Sequence, residues 1–257
     1  MSVTAIDNYF SGTSGLLLPV PNKLHYPEAF KDKSRLSYYG SLMNSIEVNS
    51  SFYKIPMAST VRKWAQEVPE GFKFTFKLWK EITHQKGLVF SSDAVQIFME
   101  TIAQAGDKKG CLLVQFPPGV KMANFRQLEQ LLRQIRENDT GLSWKTAVEF
   151  RHPSLYNEDV YELLNNYQMG LVIHDKPPAQ TPLSDSEPDF IYLRFHGPDG
   201  SYRGSYGDDV LYEYSEYIKE WLSLGKTVFV YFNNTMGNAI LNLETLKRYV
   251  GEKPAKW

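Results

Sequence analysis

The sequence lacks several features that would assign it to a common functional class. Its 257 residues include one cysteine and carry a formal net charge of −1, from 28 Lys and Arg against 29 Asp and Glu. A lone cysteine forms no disulfide within the chain, and Cys111 lies in the apolar run Cys111-Leu112-Leu113-Val114, which is typical of a buried thiol. A nearly neutral chain argues against a broad basic surface for nucleic acids or anionic membranes.

Two further absences concern membranes and nucleotides. No apolar run approaches the roughly 20 residues of a membrane-spanning helix, and residues 1–11 lack the basic start and apolar middle of a signal peptide. We therefore expect a cytoplasmic protein without a membrane partner. The sequence has neither a Gly-x-Gly-x-x-Gly pattern after an early strand nor a Gly-Lys-Ser/Thr phosphate loop, so the two commonest nucleotide-binding signatures are missing.

What the sequence does contain is an alternation of short apolar or β-branched runs with longer segments of helical period. Hydrophobic residues make up 42% of the chain, which is enough to bury a core. The alternation predicts parallel strands joined by helices. The predicted strands are Leu16 after the turn Gly12-Thr13-Ser14-Gly15, Ser45–Asn49, Lys73–Leu78, Cys111–Phe116, Thr146–Arg151, Gly170–Asp175, Ile191–His196 and Thr227–Asn233.

Helical periodicity and capping residues predict the segments between these strands. Ser91-Ser92-Asp93 should open a helix that Gly106 ends, and Asn124 should cap the following helix. The predicted helices are Glu28–Met43, Val61–Val68 opened by Ser59-Thr60, Ala94–Ala105, Phe125–Glu137, Glu158–Tyr167, Asp209–Leu224 and Ala239–Tyr249.

Together these elements predict an α/β fold, a single (β/α)₈ TIM barrel that spans residues 1–257. Eight strands and about seven helices in 257 residues match the size of such a barrel. An open doubly wound sheet is the alternative. After the sixth strand, four prolines between Lys176 and Pro188 predict an extended loop in place of a helix.

Polar side chains recur at the carboxyl ends of the predicted strands. Residues two apart share a face of a strand, and the face packed on helices must be apolar. In the fifth strand, Val148 and Phe150 therefore face the helices, while Glu149 and Arg151 face the barrel interior. The same parity places inward Glu47, Asn49, Lys77, Gln115, Arg194 and His196, together with one of Asn233 and Asn234.

This end of a TIM barrel is where active sites lie, so the parity predicts a functional pocket. The alternative is a structural polar plug, in which ion pairs such as Glu47–Lys77 or Glu149–Arg151 close the top of the core. Burying ion pairs is costly and often no better than apolar packing. Because four strands carry such groups at the same end of the barrel, a functional pocket is favoured over a structural plug.

The residues also resemble the YecE-like family, called domain of unknown function 72. The resemblance lies in Ile46-Glu47-Val48-Asn49-Ser50-Ser51-Phe52-Tyr53-Lys54-Ile55-Pro56, Phe76-Lys77, Ile82-Thr83-His84, Gln115-Phe116-Pro117-Pro118, Val148-Glu149-Phe150-Arg151-His152, Tyr192-Leu193-Arg194-Phe195-His196-Gly197 and Phe232-Asn233-Asn234-Thr235. It implies a TIM barrel and no established reaction. Leu16 and Leu155 stand where the family pattern has aromatic residues, which weakens inference about the pocket wall.

The residue types at the predicted pocket favour an enzyme with a small anionic or sugar-like substrate. Guanidinium groups suit phosphate or carboxylate, and two glutamates with a histidine supply acid–base groups. The catalytic candidates are Glu47, Glu149, His196 and Lys77, and the substrate-binding candidates are Asn49, Tyr53, His84, Gln115, Arg151, Asp175, Arg194, Asn233 and Asn234. The turns Gly197-Pro198-Asp199-Gly200 and Asn234-Thr235-Met236-Gly237-Asn238 predict either a phosphate site or ordinary turns.

Two other classes of function stay open at this point. Glu47, Glu149, Asp175, His174 and His196 offer ligands for a divalent metal in an isomerase or hydrolase, but three neighbouring cations oppose one, and no cofactor is predicted. A non-catalytic ligand or nucleic-acid binder is the other class, with Trp79-Lys80, Tyr202-Arg203 and Tyr206 as stacking groups. Alternatively, Ser201–Tyr206 is a lid between glycines. The sequence favours a small-molecule partner and leaves the oligomeric state open.

Overall fold

The chain folds as an eight-stranded parallel barrel, in a computed structural model that describes residues 6–182 and 188–252. The strands are β1 (Tyr9–Thr13), β2 (Ser45–Val48), β3 (Lys73–Lys77), β4 (Lys109–Gln115), β5 (Lys145–Glu149), β6 (Gly170–His174), β7 (Phe190–Phe195) and β8 (Thr227–Phe232). Neighbours along the chain are neighbours in the sheet, β1 pairs with β8, and a parallel bridge between Ser14 and Glu47 joins β1 to β2. The predicted TIM-barrel fold is confirmed.

Helices follow the strands and pack around the sheet. They are α1 (Arg35–Leu42), α2 (Ser50–Tyr53), α3 (Ala58–Glu67), α4 (Lys80–Thr83), α5 (Ser92–Ile102), α6 (Phe125–Glu137), α7 (Glu158–Asn166), α8 (Asp208–Ser223) and α9 (Ala239–Val250). The apolar stripe of α6, from Leu128 to Ile135, is fully buried. The main hydrophobic core is one cluster of buried residues. A second, smaller hydrophobic cluster fills the barrel interior, where Cys111 packs with Leu113, Tyr192 and Tyr231. Cys111 is therefore a buried core residue, as predicted.

The first strand lies seven residues before the predicted position at Leu16. The apolar pattern failed there because two positions of β1 are buried yet polar: Ser11 and Thr13. Their backbone amides donate to side chains from the α1–β2 region, at 2.8 Å to Asn44 Oδ1 and 2.8 Å to Tyr39 Oη. These hydrogen bonds come from side chains distant in the sequence, so hydrophobic periodicity could not reveal that Ser11 and Thr13 belong to a strand.

Two helix starts and one helix cap differ from the predictions. Helix α1 begins at Arg35 rather than Glu28, because the hydroxyl of Ser34 accepts the Ser37 amide at 3.0 Å and caps it there. Helix α3 begins at Ala58, before the predicted opening residues. Asn124 occupies the position before α6 but does not cap it, since its Oδ1 accepts the amide of Lys121 instead. Ser91 does cap α5, as predicted.

The segment after β6 is a loop rather than a helix, as its prolines predict, and it turns at Pro177-Pro178. Residues 176–182 and Pro188 contain no helix, and residues 183–187 of the predicted loop lie outside the described residues. Within residues 6–182 and 188–252, no helix has the length and apolar character needed to cross a membrane.

Gly12 marks the closest approach of β1 to β2. A Cβ atom at this position would lie 2.0 Å from the carbonyl oxygen of Ser45 and 2.7 Å from Tyr39 Oη. A backbone atom of a paired strand cannot move away without opening the barrel seam. Only glycine fits here.

We expect Gly12→Ala to lower the free energy of unfolding by about 3 kcal/mol, because overpacking against backbone is not relieved by side-chain rotation. Gly71→Ala is the matched control, since a Cβ there has nothing within 4 Å. Urea unfolding of both variants measures the difference. Equal stability of the two variants would show that β1 and β2 are not in the contact described.

Candidate active site

The carboxyl-terminal end of the barrel, called the mouth below, is organised around Arg194 at the end of β7. Its guanidinium is 2% exposed. Nε and Nη2 donate to the carboxylate of Glu47 at 3.0 and 2.8 Å, and Nη1 donates to Glu149 Oε2 at 3.1 Å. One cation therefore joins carboxylates from β2 and β5, across the barrel from each other.

Glu47 is an anion whose two oxygens are both occupied. Besides Arg194, Oε1 accepts the hydroxyl of Ser14, and Oε2 accepts Tyr192 Oη at 2.5 Å. Burial alone would raise the pKa of Glu47, but Arg194 and these hydrogen bonds outweigh it and hold the pKa below its usual value. Glu47 is consequently ionised at neutral pH. The ion pair suggested by the sequence, Glu47–Lys77, is not formed, because Glu47 pairs with Arg194.

Glu149 is also ionised, but it is less completely bonded. Burial would raise its pKa, whereas Arg194 and Arg151 lower it well below the usual value. Arg151 Nη2 forms an ion pair with Oε1, as the sequence suggested, although Oε1 has no hydrogen bond of good geometry within the described residues. Nη1 of Arg151 is likewise buried without a hydrogen-bond partner there. Both unbonded atoms belong to residues at the carboxyl end of β5.

His196 is a neutral acceptor rather than a charged group. Two guanidinium groups point at Nε2, from Arg194 at 2.8 Å and Arg151 at 2.9 Å. Because guanidinium only donates, Nε2 must carry the lone pair, and the proton lies on Nδ1, which faces Asp175 Oδ1 at 3.2 Å. Burial, opposed by Asp175 and reinforced by Arg194, lowers the pKa of His196 to about 4.

Asp175, one residue beyond β6, orients this histidine and the loop after β7. Its Oδ1 also accepts the His196 amide at 2.9 Å, and its Oδ2 accepts the hydroxyl of Tyr206. Burial would raise the pKa of Asp175, but the hydrogen bonds from His196 and Tyr206 lower it. The Tyr206 oxygen in turn accepts the Gly197 amide at 2.6 Å. Both oxygens of Asp175 thus position other groups of the site.

Lys77, at the end of β3, differs from the other cations of the mouth. Its Nζ lies 4.1 Å from the ring centroid of Phe52, on α2, and among the described residues it forms no hydrogen bond or ion pair. Burial and the nearby Arg194 lower its pKa to about 8. His84 lies edge-on to the same Phe52 ring, with 4.9 Å between centroids. Burial, Lys77 and Lys80 lower the pKa of His84 to about 4.

The remaining predicted binding residues divide between the mouth and its surroundings. Asn49 and Gln115 are half-buried at the rim, where they donate to Ser14 Oγ and to the Phe116 carbonyl. Asn233 shares the inward parity of Tyr231. Two other residues predicted to bind the substrate lie elsewhere. Tyr53 is 67% exposed on α2, and Asn234 turns outward to bond Asn242 of α9 at 3.0 Å.

The amide groups in the turn after β8 are bonded within the chain, which favours an ordinary turn over a phosphate site there. The amides of Met236, Gly237 and Asn238 donate to carbonyl oxygens of the chain, at 3.2, 2.9 and 3.0 Å. The predicted lid segment is docked in the same way: the Tyr202 amide donates to the His196 carbonyl at 2.7 Å, and Tyr206 is 8% exposed. Tyr206 is therefore not available to stack on a base.

Three residues of the site were not among the predicted ones: Ser14, Phe52 and Tyr192. Tyr206 was predicted only as a stacking group or as part of a lid. Tyr192 could have been found, because it lies two residues before Arg194 and shares its inward parity. The others follow strands in turns or short helices, where parity no longer applies. His174, a candidate metal ligand, bonds the Phe150 carbonyl at 3.0 Å and accepts the Lys176 amide at 3.2 Å.

The mouth does not arrange its acidic and histidine side chains as a metal site. Across residues 6–182 and 188–252, no group of three or more His, Cys, Asp and Glu side chains is placed to hold a metal ion. The carboxylate oxygens of Glu47 face Arg194, Ser14 and Tyr192. A cation would have to displace these donors.

The fold and this cluster define a (β/α)₈-barrel protein with an ion-paired polar mouth. Comparison with known proteins gives the family: residues 10–257 match the model described as "Protein of unknown function DUF72". The chain belongs to this DUF72 family. The resemblance noted in the sequence is thereby confirmed.

Relatives and solved structures agree with this assignment. The UPF0759 protein YunF of Bacillus subtilis is 28% identical over 82% of this chain and 84% of its own length. The UPF0759 protein YecE of Escherichia coli K12 is 27% identical, and the match spans 56% of that protein and 59% of this chain. Crystal structures of DUF72 proteins from Enterococcus faecalis V583 and Thermotoga maritima MSB8 superpose with TM-scores of 0.76 and 0.72. They are 22% and 27% identical, cover 95% of this chain each, and are themselves covered to 96% and 99%.

Removing the central cation should strongly destabilise the barrel. We expect Arg194→Met to lower the free energy of unfolding by about 3–5 kcal/mol, since it leaves the buried carboxylate of Glu47 without a cation and that of Glu149 with Arg151 alone. Lys219→Met is the control, because its exposed ion pair with Glu216 should contribute less than about 1 kcal/mol. Urea unfolding gives both values.

A second variant separates charge from packing. Adding Glu47→Gln to Arg194→Met should recover part of the loss, since one unpaired buried charge is removed. A loss no larger than that of Lys219→Met, or no recovery in the double variant, would contradict the described network.

The neutral state of His196 predicts a pH dependence of stability. The pKa of His196 is about 4 in the folded protein and 6.5 ordinarily. Between these two pH values, the unfolded chain binds a proton at this residue and the folded chain does not. The free energy of unfolding should therefore fall as the pH drops from about 6.5 to 4, at up to about 1.4 kcal/mol per pH unit from this group. Urea unfolding at several pH values should show a smaller slope in His196→Asn. An unchanged slope would mean that His196 is protonated in the fold.

Proposed function

We propose that this protein is an enzyme that binds a small anionic or sugar-like substrate, phosphorylated or carboxylated, at the barrel mouth. The observation that carries the proposal is Arg151. Its Nη1 is a buried donor with no hydrogen-bond partner among the described residues, while Nη2 is held by Glu149 and His196. A buried unpaired donor costs about 1–3 kcal/mol, and an anionic ligand oxygen would remove that cost.

The neighbouring strands supply further groups that suit such a ligand. Lys77, Gln115 and Arg151 stand at the carboxyl ends of β3, β4 and β5, which are adjacent in the sheet. Two of the three are cations, and Lys77 has no anion bound to its ammonium within the described residues. Asn49, which follows the adjacent β2, and Asn233, which follows β8, provide neutral amides for hydroxyl groups. This combination supports a ligand that carries a phosphate or carboxylate together with hydroxyl groups.

The acid–base roles are divided unequally between the two glutamates. Glu149 is the base in this proposal, because it is ionised and its Oε1 is held only in an ion pair with Arg151, without a hydrogen bond among the described residues. Glu47 has both oxygens saturated, and we assign it the role of positioning Arg194. Lys77, whose pKa of about 8 lies near neutral pH, can exchange its proton there. His196 exchanges no proton in this arrangement, since two guanidinium groups occupy its Nε2.

No specific observation favours the other classes of function. A metal-dependent reaction would require the bonded carboxylates to exchange Arg194 for a metal ion. A nucleic-acid site would need free aromatic faces, whereas Tyr206 is buried and Lys176 lies 4.3 Å from the Tyr202 ring centroid. The cytoplasmic location expected from the sequence stays a prediction.

Ligand-induced stabilisation tests the proposal. The panel consists of inorganic phosphate, sugar phosphates, small carboxylates, neutral sugars and divalent metals, each added to wild type and to Arg151→Gln. A ligand at about 100 times its Kd should add about 2.7 kcal/mol to the free energy of unfolding. We expect one anionic class to stabilise the wild type, with affinity about 10- to 100-fold weaker in Arg151→Gln.

Arg133→Gln is the matched control, because Arg133 is exposed on α6 and pairs only with Glu137 among the described residues. This variant should bind the anion as the wild type does. The proposal is wrong if no anion stabilises the protein, or if Arg151→Gln and Arg133→Gln respond alike.

A further inference from the structure

We infer that Lys77 is a covalent attachment site, whose Nζ forms an imine with the carbonyl group of an anionic aldehyde or ketone. This inference rests on the proposed function, because the guanidinium of Arg151 would hold the anionic end of the same molecule. It adds to that function a substrate class, carbonyl compounds that carry a phosphate or carboxylate, and a chemical role for one residue.

The first support is that Lys77 differs from Lys247, the other lysine that is buried among the described residues. Lys247 is 6% exposed and Lys77 is 8% exposed, yet Lys247 Nζ contacts Glu244 and Glu252 at 3.5 and 3.8 Å. Lys108 and Lys176 donate to backbone carbonyls. Lys77 has no such acceptor in residues 6–182 and 188–252, and a ring face is its close neighbour. An ammonium held this way loses little when it gives up its proton.

The second support is the charge around Lys77. The charged groups that act on it are Arg194, Glu149, Glu47 and Arg151, and Lys77 in turn acts on His84. Because both glutamates are already paired with arginines, their attraction does not offset burial, and the pKa of Lys77 falls from 10.5 to about 8. That shift leaves roughly 300-fold more free amine at pH 7 than an ordinary lysine has. A free amine is the nucleophile that imine formation requires.

The third support is position. Lys77 ends β3 and Arg151 follows β5, two strands away in the sheet, so their backbones are about 10 Å apart. Arg151 is one of the charged groups close enough to act on Lys77. A molecule of three or four carbons can place its anionic group on Arg151 and its carbonyl carbon at Lys77. Gln115, on the strand between them, lies beside the path of that molecule.

The reaction balances without any redox partner. The unprotonated Nζ attacks the carbonyl carbon, a C–N bond forms, and the π electrons of the C=O bond move to oxygen, which takes up a proton as nitrogen loses one. The carbinolamine then loses water while the nitrogen lone pair forms the C=N bond. In sum, the ammonium of Lys77 and a carbonyl compound give a protonated imine and water, with one positive charge on each side.

Reductive trapping tests the inference. Wild-type protein is incubated at pH 7 with glyceraldehyde 3-phosphate, with pyruvate or with neutral glyceraldehyde, and borohydride then delivers hydride to the imine carbon to give a stable secondary amine. Peptide mapping by mass spectrometry locates the adduct. We expect Lys77 to be modified first, by one of the two anionic compounds, and at least about tenfold faster than by glyceraldehyde, since Arg151 binds only the anion. Inorganic phosphate should slow the labelling.

Two variants serve as controls. Lys77→Met should lose the adduct, with its folding checked by urea unfolding. Lys80→Arg, on α4 three residues further along the chain, should keep it, because Lys80 is half-exposed and bound to no part of the site. If Lys77→Met does not fold, the map of the wild-type adduct and its competition by phosphate still decide the question.

The outcomes separate this inference from the proposed function. Stabilisation by an anion without an adduct at Lys77 would overturn the covalent role and leave the anion site standing. No stabilisation and no adduct would overturn both. Equal labelling of Lys77 by glyceraldehyde and by the anionic compounds would also contradict the inference, because the amine would then react without help from Arg151.

Discussion

The guanidinium of Arg194, held between the carboxylates of Glu47 and Glu149, is the interaction on which the mouth of this barrel depends. The three groups are 2% exposed or less. None of them could be buried alone, since an isolated charge in the interior costs several kcal/mol. Because the carboxylates come from β2 and β5 and the guanidinium from β7, the pairing ties together strands that are not neighbours in the sheet.

The pairing also decides which groups are left for a ligand. With Glu47 saturated and His196 fixed as a neutral acceptor, the side of the mouth formed by β1, β2 and β7 is internally satisfied. The side formed by β3, β4 and β5 is not, because Lys77 and one nitrogen of Arg151 have no acceptor among the described residues. The polar cluster therefore contains buried ion pairs, as a structural plug would, and beside them cationic groups without acceptors among the described residues. The functional pocket stays a prediction.

Side-chain parity explains why so much of the site could be predicted without a structure. In a closed parallel barrel the outer face must be apolar, so Glu149 and Arg151, or Arg194 and His196, could only point inward. The same rule identified the strands that carry them to within one or two residues. It failed for β1, whose buried Ser11 and Thr13 are polar, and it could not reach Phe52 or Tyr206, which lie outside strands.

The sequence by itself determined the barrel, the end at which its polar groups gather and the identity of most of them, because strand periodicity and apolar burial are local constraints. Only the tertiary structure decided which charge pairs with which. Glu47 pairs with Arg194 rather than with Lys77, and Asp175 accepts hydrogen bonds from His196 and Tyr206. Pairing depends on distances across the barrel between residues more than 100 positions apart in the chain, such as Glu47 and Arg194. No pattern along a single strand encodes those distances.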